Sequence, residues 1–205
     1  MQGYIININR ARDEDLIVTI LSQNRKYTTY RFYGARHSTI NLGYKIDFEL
    51  QHSYKSNIAQ LRNILHLGVK WNIDRDKMYL WQQFIKLFFK HLRDIEEIDQ
   101  FYFDLLEKSY SLWDKQSSKR VAVEAYVELL SHEGRLHKNF ICFECEKKIT
   151  EEVSLLRAFL PAHKECIYTH AFKTLHVEEL FNNQSTLFFG DDDIEKLWQI
   201  VCEGF

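Results

Sequence analysis

The sequence predicts an α+β protein: a β-rich N-terminal module followed by a helical one. Three observations carry the prediction. The first fifty residues break into short β-branched and aromatic runs separated by Gly, Asn or charged residues. From about residue 72 the apolar residues recur at three- and four-residue steps. Among the helical stretches lie two paired positions, Cys142-Phe-Glu-Cys145 and His163-Lys-Glu-Cys166.

The expected strands, in order, are GYIININ, DLIVTILSQ, RKYTTYRFYGA, HSTINLG and KIDFEL. Short strands in succession with almost no helix signal predict a small barrel or sandwich. NIAQLRNILHLGV reads as either a helix or a strand closing that module. The pattern then changes. Met78, Trp81, Phe84, Ile85, Phe88, Phe89 and Leu92 share one helical stripe. The stripe reads as core, with a groove for a partner peptide as the alternative. Ile98, Phe101, Tyr102, Leu105, Leu106 and Leu112 form a second stripe. A third helix lies in SSKRVAVEAYVELLSHEG, with Ser117 or Ser118 as N-cap and Gly134 as the stop. The last, DDDIEKLWQIVCEG, has acids in its first turn, where the helix dipole favours them. Cys202 on that helix reads as core. The expected domains are 1–70 and 71–205, with the Cys/His insertion at about 140–170.

Composition narrows the class. A chain of 205 residues, 45% hydrophobic and 27% charged, can bury a core without staples. No apolar run is long enough for a membrane helix. The stretch MQGYIININRARDED lacks the basic and apolar regions of a secretory signal, so a cytoplasmic protein is expected. There, cysteine pairs point to metal rather than to disulfides. The net charge is −2, yet residues 1–70 hold ten Lys/Arg against five Asp/Glu, which leaves the remainder acidic. That asymmetry suggests a basic binding face on the first module.

Two residues between paired ligands let one tight turn present both side chains to the same ion. Cys142 and Cys145 form one knuckle, and His163 and Cys166 the other. The intervening stretch contains EEVSLLRAFLPA, whose strand-like content would build a short two-stranded excursion. The pattern predicts a closed, structural Zn2+ site, since four protein ligands leave no open position for water. His137 and His170 flank the segment and are alternatives to His163. Buried thiols in a core are the reading without metal. A redox CxxC fits poorly, because no βαβ pattern surrounds the pair.

In RKYTTYRFYGARH, Arg25, Lys26, Arg31, Arg36 and His37 sit among Tyr27, Tyr30, Phe32 and Tyr33. Cations that track phosphates, interleaved with rings that stack on bases, are how proteins bind single strands. Strand alternation would place Tyr27, Thr29, Arg31 and Tyr33 on one face, and Lys26, Thr28, Tyr30 and Phe32 on the other. Arg10 and Arg12 would extend the basic face. The sequence contains no HExxH, GxSxG, GxGxxG or GxxxxGK pattern. Asp191–Asp193 read as a helix start rather than a cation site.

The order of parts resembles the RecO family of DNA-repair and recombination mediators. GYIININRARDEDLIVTIL is similar to the family's opening: a glycine, an apolar strand, a basic turn, an acidic pair and a second strand. VEAYVELLSHEGRLHKNFICFEC is similar to the family's helix ending in a leucine pair and glycine, which leads into a CxxC. Glu146 stands where the family usually has glycine, and His163 where a cysteine is usual. The resemblance implies an OB-fold N-terminal barrel, a helical domain and an embedded zinc-binding element, with no enzymatic activity. It implies binding of single- and double-stranded DNA, strand annealing, and partnership with RecR and with the acidic tail of single-strand-binding protein. The resulting expectation is that Arg10, Arg12, Arg25, Lys26, Arg31, Tyr33 and Arg36 contact DNA, and that Lys119 and Arg120 contact the partner tail. The alternative from another class is a zinc-stapled protein–protein adaptor that does not touch DNA. A third reading, a metalloenzyme, requires an open metal position.

Overall fold

The computed structural model describes residues 1–54 and 56–205; Lys55, one of the N-terminal cations, lies outside the described residues. The chain forms two compact units, Met1–Ser111 and Leu112–Phe205.

The first unit begins with β1 (Gln2–Arg10), β2 (Leu16–Ser22) and β3 (Lys26–Arg31), then β4 (Lys45–Ser53) and β5 (Ser56–His66). They close into a barrel in the order β1-β2-β3-β5-β4, with β4 returning to pair with β1. The closing β3–β5 contact is parallel, through Thr29↔Ala59 and Tyr30↔Gln60; the other pairings are antiparallel. This is the small, OB-like closed barrel that the run of short strands implied. Its interior is Ile5, Leu16, Val18, Ile20, Ile40, Ile46, Phe48 and Leu61, with Tyr27 packed against them.

One stretch expected as a strand is not one, and the ambiguous stretch is settled. HSTINLG is a turn region rather than a strand. Its Ile40 is tucked into the barrel core, while Gly43 takes φ 85° and accepts a hydrogen bond at 2.8 Å from the Trp81 indole. A Cβ on Gly43 would lie 2.7 Å from that indole, so both backbone conformation and close approach require glycine. NIAQLRNILHLGV resolves as β5. Leu61 and Ile64 mimic helical spacing because a register shift inserts an extra residue in β5, with Asn63 at φ 47°.

Two helices complete this unit, α1 (Arg75–His91) and α2 (Gln100–Leu112), the latter ending at its limit. Asp74 caps α1 by accepting from the Asp76 and Lys77 amides. Trp81, Phe84 and Phe88 are fully buried, so the stripe is core and not a groove. Trp81 meets Tyr4, which β1 turns away from the barrel interior. Its ring lies 5.9 Å from Trp81, 5.9 Å from Phe103 and 5.5 Å from Tyr110. The Tyr4 hydroxyl donates to Glu107 at 2.5 Å, and Lys45 donates to the same carboxylate at 2.7 Å.

The second unit is built on α3 (Ser118–His132). Its end is a Schellman turn: Arg135 N–H donates to Leu130 O, Gly134 N–H donates to Ser131 O, and Gly134 takes φ 67°. A sheet of order β7-β6-β8 follows, from β6 (Glu152–Leu155), β7 (Pro161–Ala162) and β8 (Ala171–Lys173). The expected excursion therefore has a third strand. Between β7 and β8 lies the single turn α4 (Lys164–Ile167); α5 (Thr174–Asn183) and α6 (Asp191–Cys202) complete the unit. Tyr126 of α3 is its hub: its hydroxyl donates to Gly204 O at 2.7 Å and accepts from Ala158 N–H at 2.9 Å. Cys202 is exposed, not core, because the apolar face of α6 is Ile194, Leu197, Trp198 and Val201.

His66 gives the first unit a pH dependence. Its ring stacks on Tyr44 at 3.9 Å, its Nε2 is buried without a hydrogen-bond partner, and desolvation lowers its pKa from the ordinary 6.5. The unfolded chain then binds the proton more readily, so this residue destabilises the fold as pH falls below about 6.5. His66→Phe should flatten the loss of thermal stability between pH 7 and pH 5 relative to wild type. Equal slopes for the two proteins would contradict this.

Candidate metal centre and nucleic-acid face

The first knuckle is a tight hairpin. The Cys142 amide donates to Lys147 O and the Glu146 amide to Cys142 O, while Ile141 and Lys148 form an antiparallel bridge. Such a turn needs a left-handed residue, and Glu146 fills the place at φ 60°. The second knuckle follows β7, which pairs with β6 through Ala162↔Ser154 and Pro161↔Leu155. Phe143 N–H donates to Pro161 O, tying the two knuckles together. His163 stands at the N-cap of α4, and Cys166 lies within that turn.

Cys142, Cys145, His163 and Cys166 place one ligand atom each within 4.8 Å of all the others. The His163 Nδ1 lies 3.3 Å from Cys145 Sγ and 4.0 Å from Cys166 Sγ. A tetrahedral ion with bonds of about 2.3 Å to sulfur and 2.0 Å to nitrogen gives S···N edges of about 3.5 Å, so the donor set fits a metal. His163 Nε2 sits 3.3 Å from Lys148 O, the second bond that orients a ligating imidazole with Nδ1 facing the thiols. Burial alone would raise the Cys142 pKa. The backbone N–H groups of Cys145, His163 and Glu144 around its sulfur outweigh that and lower it to about 6. Cys166 moves the other way, to about 11, through desolvation and the neighbouring thiols Cys142 and Cys145. A cation would supply the charge these crowded sulfurs lack. His170 is committed elsewhere, with Nε2 3.0 Å from Asp193, and exposed His137 is outside the cluster.

The residues expected to bind DNA fall at two ends of the barrel. Arg10 pairs with Leu16 across β1–β2, and Leu16 with Arg31 across β2–β3, so the three share one row. Arg12 lies in the adjacent β1–β2 turn, and Tyr33 and Arg36 follow β3. This end therefore gathers Arg10, Arg12, Arg31, Tyr33 and Arg36. Arg25 and Lys26 lie at the other end of β3, about 20 Å away for a strand of this length.

Lys26 is 6% exposed: its ammonium donates to Leu92 O and Arg93 O at the close of α1, which leaves it no face for a phosphate. Desolvation lowers its pKa. Arg25 is paired with Glu96 at 3.0 Å and borders an open groove of about 530 Å³ with Thr28, His52 and Asn57.

At the arginine-rich end, Phe32 and Tyr33 are 46% and 60% exposed, which makes them available rings. The expected alternation stops at Arg31, where β3 ends, because Tyr33 is left-handed at φ 52°, ψ 29°. That conformation costs a residue with a side chain about 1–2 kcal/mol. Arg36 ion-pairs with Glu14, and its guanidinium lies 5.3 Å from the Tyr33 ring centre. Half-buried Arg31 donates from its guanidinium Nη1 to Leu61 O at 3.0 Å, and its Nη2 lies 3.3 Å from His37 Nε2, so its charged head is held in place. Asp15, which the sequence reading left without a role, accepts from the Tyr33 amide and the Tyr30 hydroxyl. The acidic run in the β1–β2 turn was its only sequence signal.

In the second unit, Lys119 ion-pairs with Glu195. Arg120 donates to Thr186 O at 2.7 Å, Phe189 O at 2.9 Å and Asp191 at 2.9 Å. Thus Asp191 and Asp193 partner Arg120 and His170.

The first unit is thus an OB-like barrel with arginines and exposed rings at one end, and the second carries a Cys3His cluster; no helix among the described residues is long and apolar enough to cross a membrane. Residues 1–72, the barrel and the turn after it, match the family model described as RecO N terminal. The match covers about the first third of the chain and shows that its barrel is similar to a RecO N-terminal domain. No curated protein matches the chain.

The knuckle geometry generates two predictions. Metal analysis of purified protein should find one divalent ion per chain, lost in Cys142→Ser together with thermal stability of the second unit; metal-free wild type of undiminished stability would refute this. Glu146→Gly relieves the left-handed residue and should stabilise the protein by about 1 kcal/mol in denaturant unfolding.

Proposed function

We propose that the protein is a non-enzymatic DNA-repair and recombination mediator. In this reading it binds single-stranded DNA, and double-stranded DNA more weakly, and anneals complementary strands. It works with RecR and with the acidic tail of single-strand-binding protein to load a recombinase. The metal is a structural Zn2+, in keeping with a closed Cys3His donor set. The protein acts in the cytoplasm, on the nucleoid.

The observation that carries this reading is the arginine-rich end of a barrel matched by the RecO N-terminal model, where Arg10, Arg12, Arg31 and Arg36 gather at the same end as the exposed Phe32 and Tyr33. Arginines neutralise phosphates and release counterions, while open rings accept unstacked bases. Arg25, across the barrel face, would extend the path of a strand. An acidic tail meeting Lys119 and Arg120 would have to replace Glu195 and Asp191, so that contact is an exchange of carboxylates.

One observation favours the adaptor reading as the second choice. Leu175, Leu187 and Phe188 of the second unit are 74%, 78% and 52% exposed, large apolar side chains that a protein partner would cover.

Anisotropy of a labelled single-stranded oligonucleotide across a salt series separates the two. The mediator reading expects binding that falls with salt, with a log–log slope of about 0.7 per phosphate contacted. Arg31→Glu with Arg36→Glu should weaken binding more than tenfold and lower that slope. Lys26→Gln should lower thermal stability and leave the slope unchanged. No binding at low salt moves the assignment to the adaptor.

A further inference from the structure

We infer that Asp15 is the positioning residue that makes the arginine-rich end selective for single strands. The inference rests on the DNA-binding reading above. Its starting point is a carboxylate where a polyanion site should not want one.

Asp15 lies in the β1–β2 turn, beside Arg12 and within the same loop cluster as Arg36. Both of its oxygens are engaged. Oδ1 accepts the Tyr33 amide at 2.7 Å, and Oδ2 accepts the Tyr30 hydroxyl at 2.5 Å. The turn holds the carboxylate in place: Asp15 N–H donates to Arg12 O and Ala11 N–H to Asp15 O, both at 2.9 Å. The neighbouring Glu14 adds a parallel tie, its carbonyl accepting from Ala35 N–H at 2.9 Å. The two hydrogen bonds from tyrosines hold the Asp15 carboxyl below its usual range, so it stays charged around neutrality.

The effect of these bonds is conformational. Tyr33 is left-handed, a state its side chain disfavours; the Asp15 bond fixes the peptide before it, and the Arg36 N–H bond to Tyr33 O at 3.1 Å fixes the chain after it, so the two together oppose relaxation to an extended backbone. In an extended backbone, Tyr33 would continue the alternation of β3 and turn with Arg31. Held left-handed, it stands 60% exposed with the Arg36 guanidinium near its ring. An aromatic face flanked by a cation can receive an unstacked base. A duplex keeps its bases stacked and offers only phosphates to the arginines. Asp15 therefore acts on the ring contact, which single strands alone can use.

Electrostatics and positioning predict opposite signs, which makes the test decisive. Removing a negative charge from beside arginines should tighten binding to any polyanion. Removing a positioning residue should weaken binding to single strands only. Full-length wild type, Asp15→Ala, Tyr33→Gly and the double variant are compared by anisotropy, using a labelled thymidine oligonucleotide and a duplex of the same length at one salt concentration. Asp15→Ala, which removes both acceptors as well as the charge, is expected to lose about tenfold in single-strand affinity, the scale of one stacked base, with duplex affinity unchanged or higher. In the Tyr33→Gly background, Asp15→Ala is expected to cause no further loss.

Single-strand affinity that is unchanged or higher in Asp15→Ala, while wild type binds, overturns the inference and leaves the DNA-binding reading intact. Equal loss for single strand and duplex also overturns it. A wild type that binds neither oligonucleotide at low salt overturns the underlying reading, and this inference falls with it. If Asp15→Ala does not melt cooperatively, Tyr30→Phe replaces it. That variant removes one of the two bonds that locate the carboxylate, and a smaller loss confined to single strands is expected; no such loss overturns the inference.

Discussion

Burying the Tyr4 hydroxyl against Glu107 obliges β1 to serve two cores at once. Ile5 points into the barrel, while Tyr4 points out among Trp81, Phe103 and Tyr110. A register shift between Ile5 and Asn7 lets three consecutive residues, Tyr4, Ile5 and Ile6, all be buried. The phenol would be costly in that setting without a partner, and Glu107 supplies one while Lys45 neutralises the carboxylate. Desolvation, followed by the bond to Glu107, raises the Tyr4 pKa far above its ordinary value, so it remains a donor. Barrel and helices are in this way one unit.

The second unit solves a different problem. Residues 140–170 contain short strands and a single helical turn, too little apolar surface to hold two knuckles in place by packing alone. Phe140 stacks with Phe181, and Phe159 lies between Tyr126 and Phe181, which anchors one side of the segment. The Cys3His cluster anchors the other. A bound cation converts four crowded donors from a repulsive arrangement into a cross-link between the knuckles.

At the arginine-rich end, the same loops meet two demands. The proposed DNA contact needs accessible arginines, yet loops rich in like charge repel one another and fray. Glu14 and Asp15 resolve this by pairing with Arg36 and by bonding Tyr30 and Tyr33, which orders the β1–β2 turn against the chain after β3. Acidic residues within a basic surface are thus part of how that surface keeps its shape. Buried Lys26 shows the converse. A cation in the most basic stretch of the chain is spent on the carbonyls that end α1.

What the sequence determined by itself was whatever depends on local spacing. Two-residue gaps place Cys142 with Cys145 and His163 with Cys166; three- and four-residue steps define α1 and α3; Gly134 ends α3. Each is fixed by bond geometry within a few residues. Only the tertiary structure decided what depends on strand register and on neighbours distant in the chain. Arg25 and Arg36 are close in sequence but lie toward opposite ends of β3, because a strand extends about 3.3 Å per residue and carries its ends apart. Ile40 belongs to the barrel core from a turn, and NIAQLRNILHLGV became β5 because a register shift hides its period. Asp15 acquired a role only when folding brought Tyr30 and Tyr33 to its two oxygens, since a carboxylate's function is set by the donors that reach it.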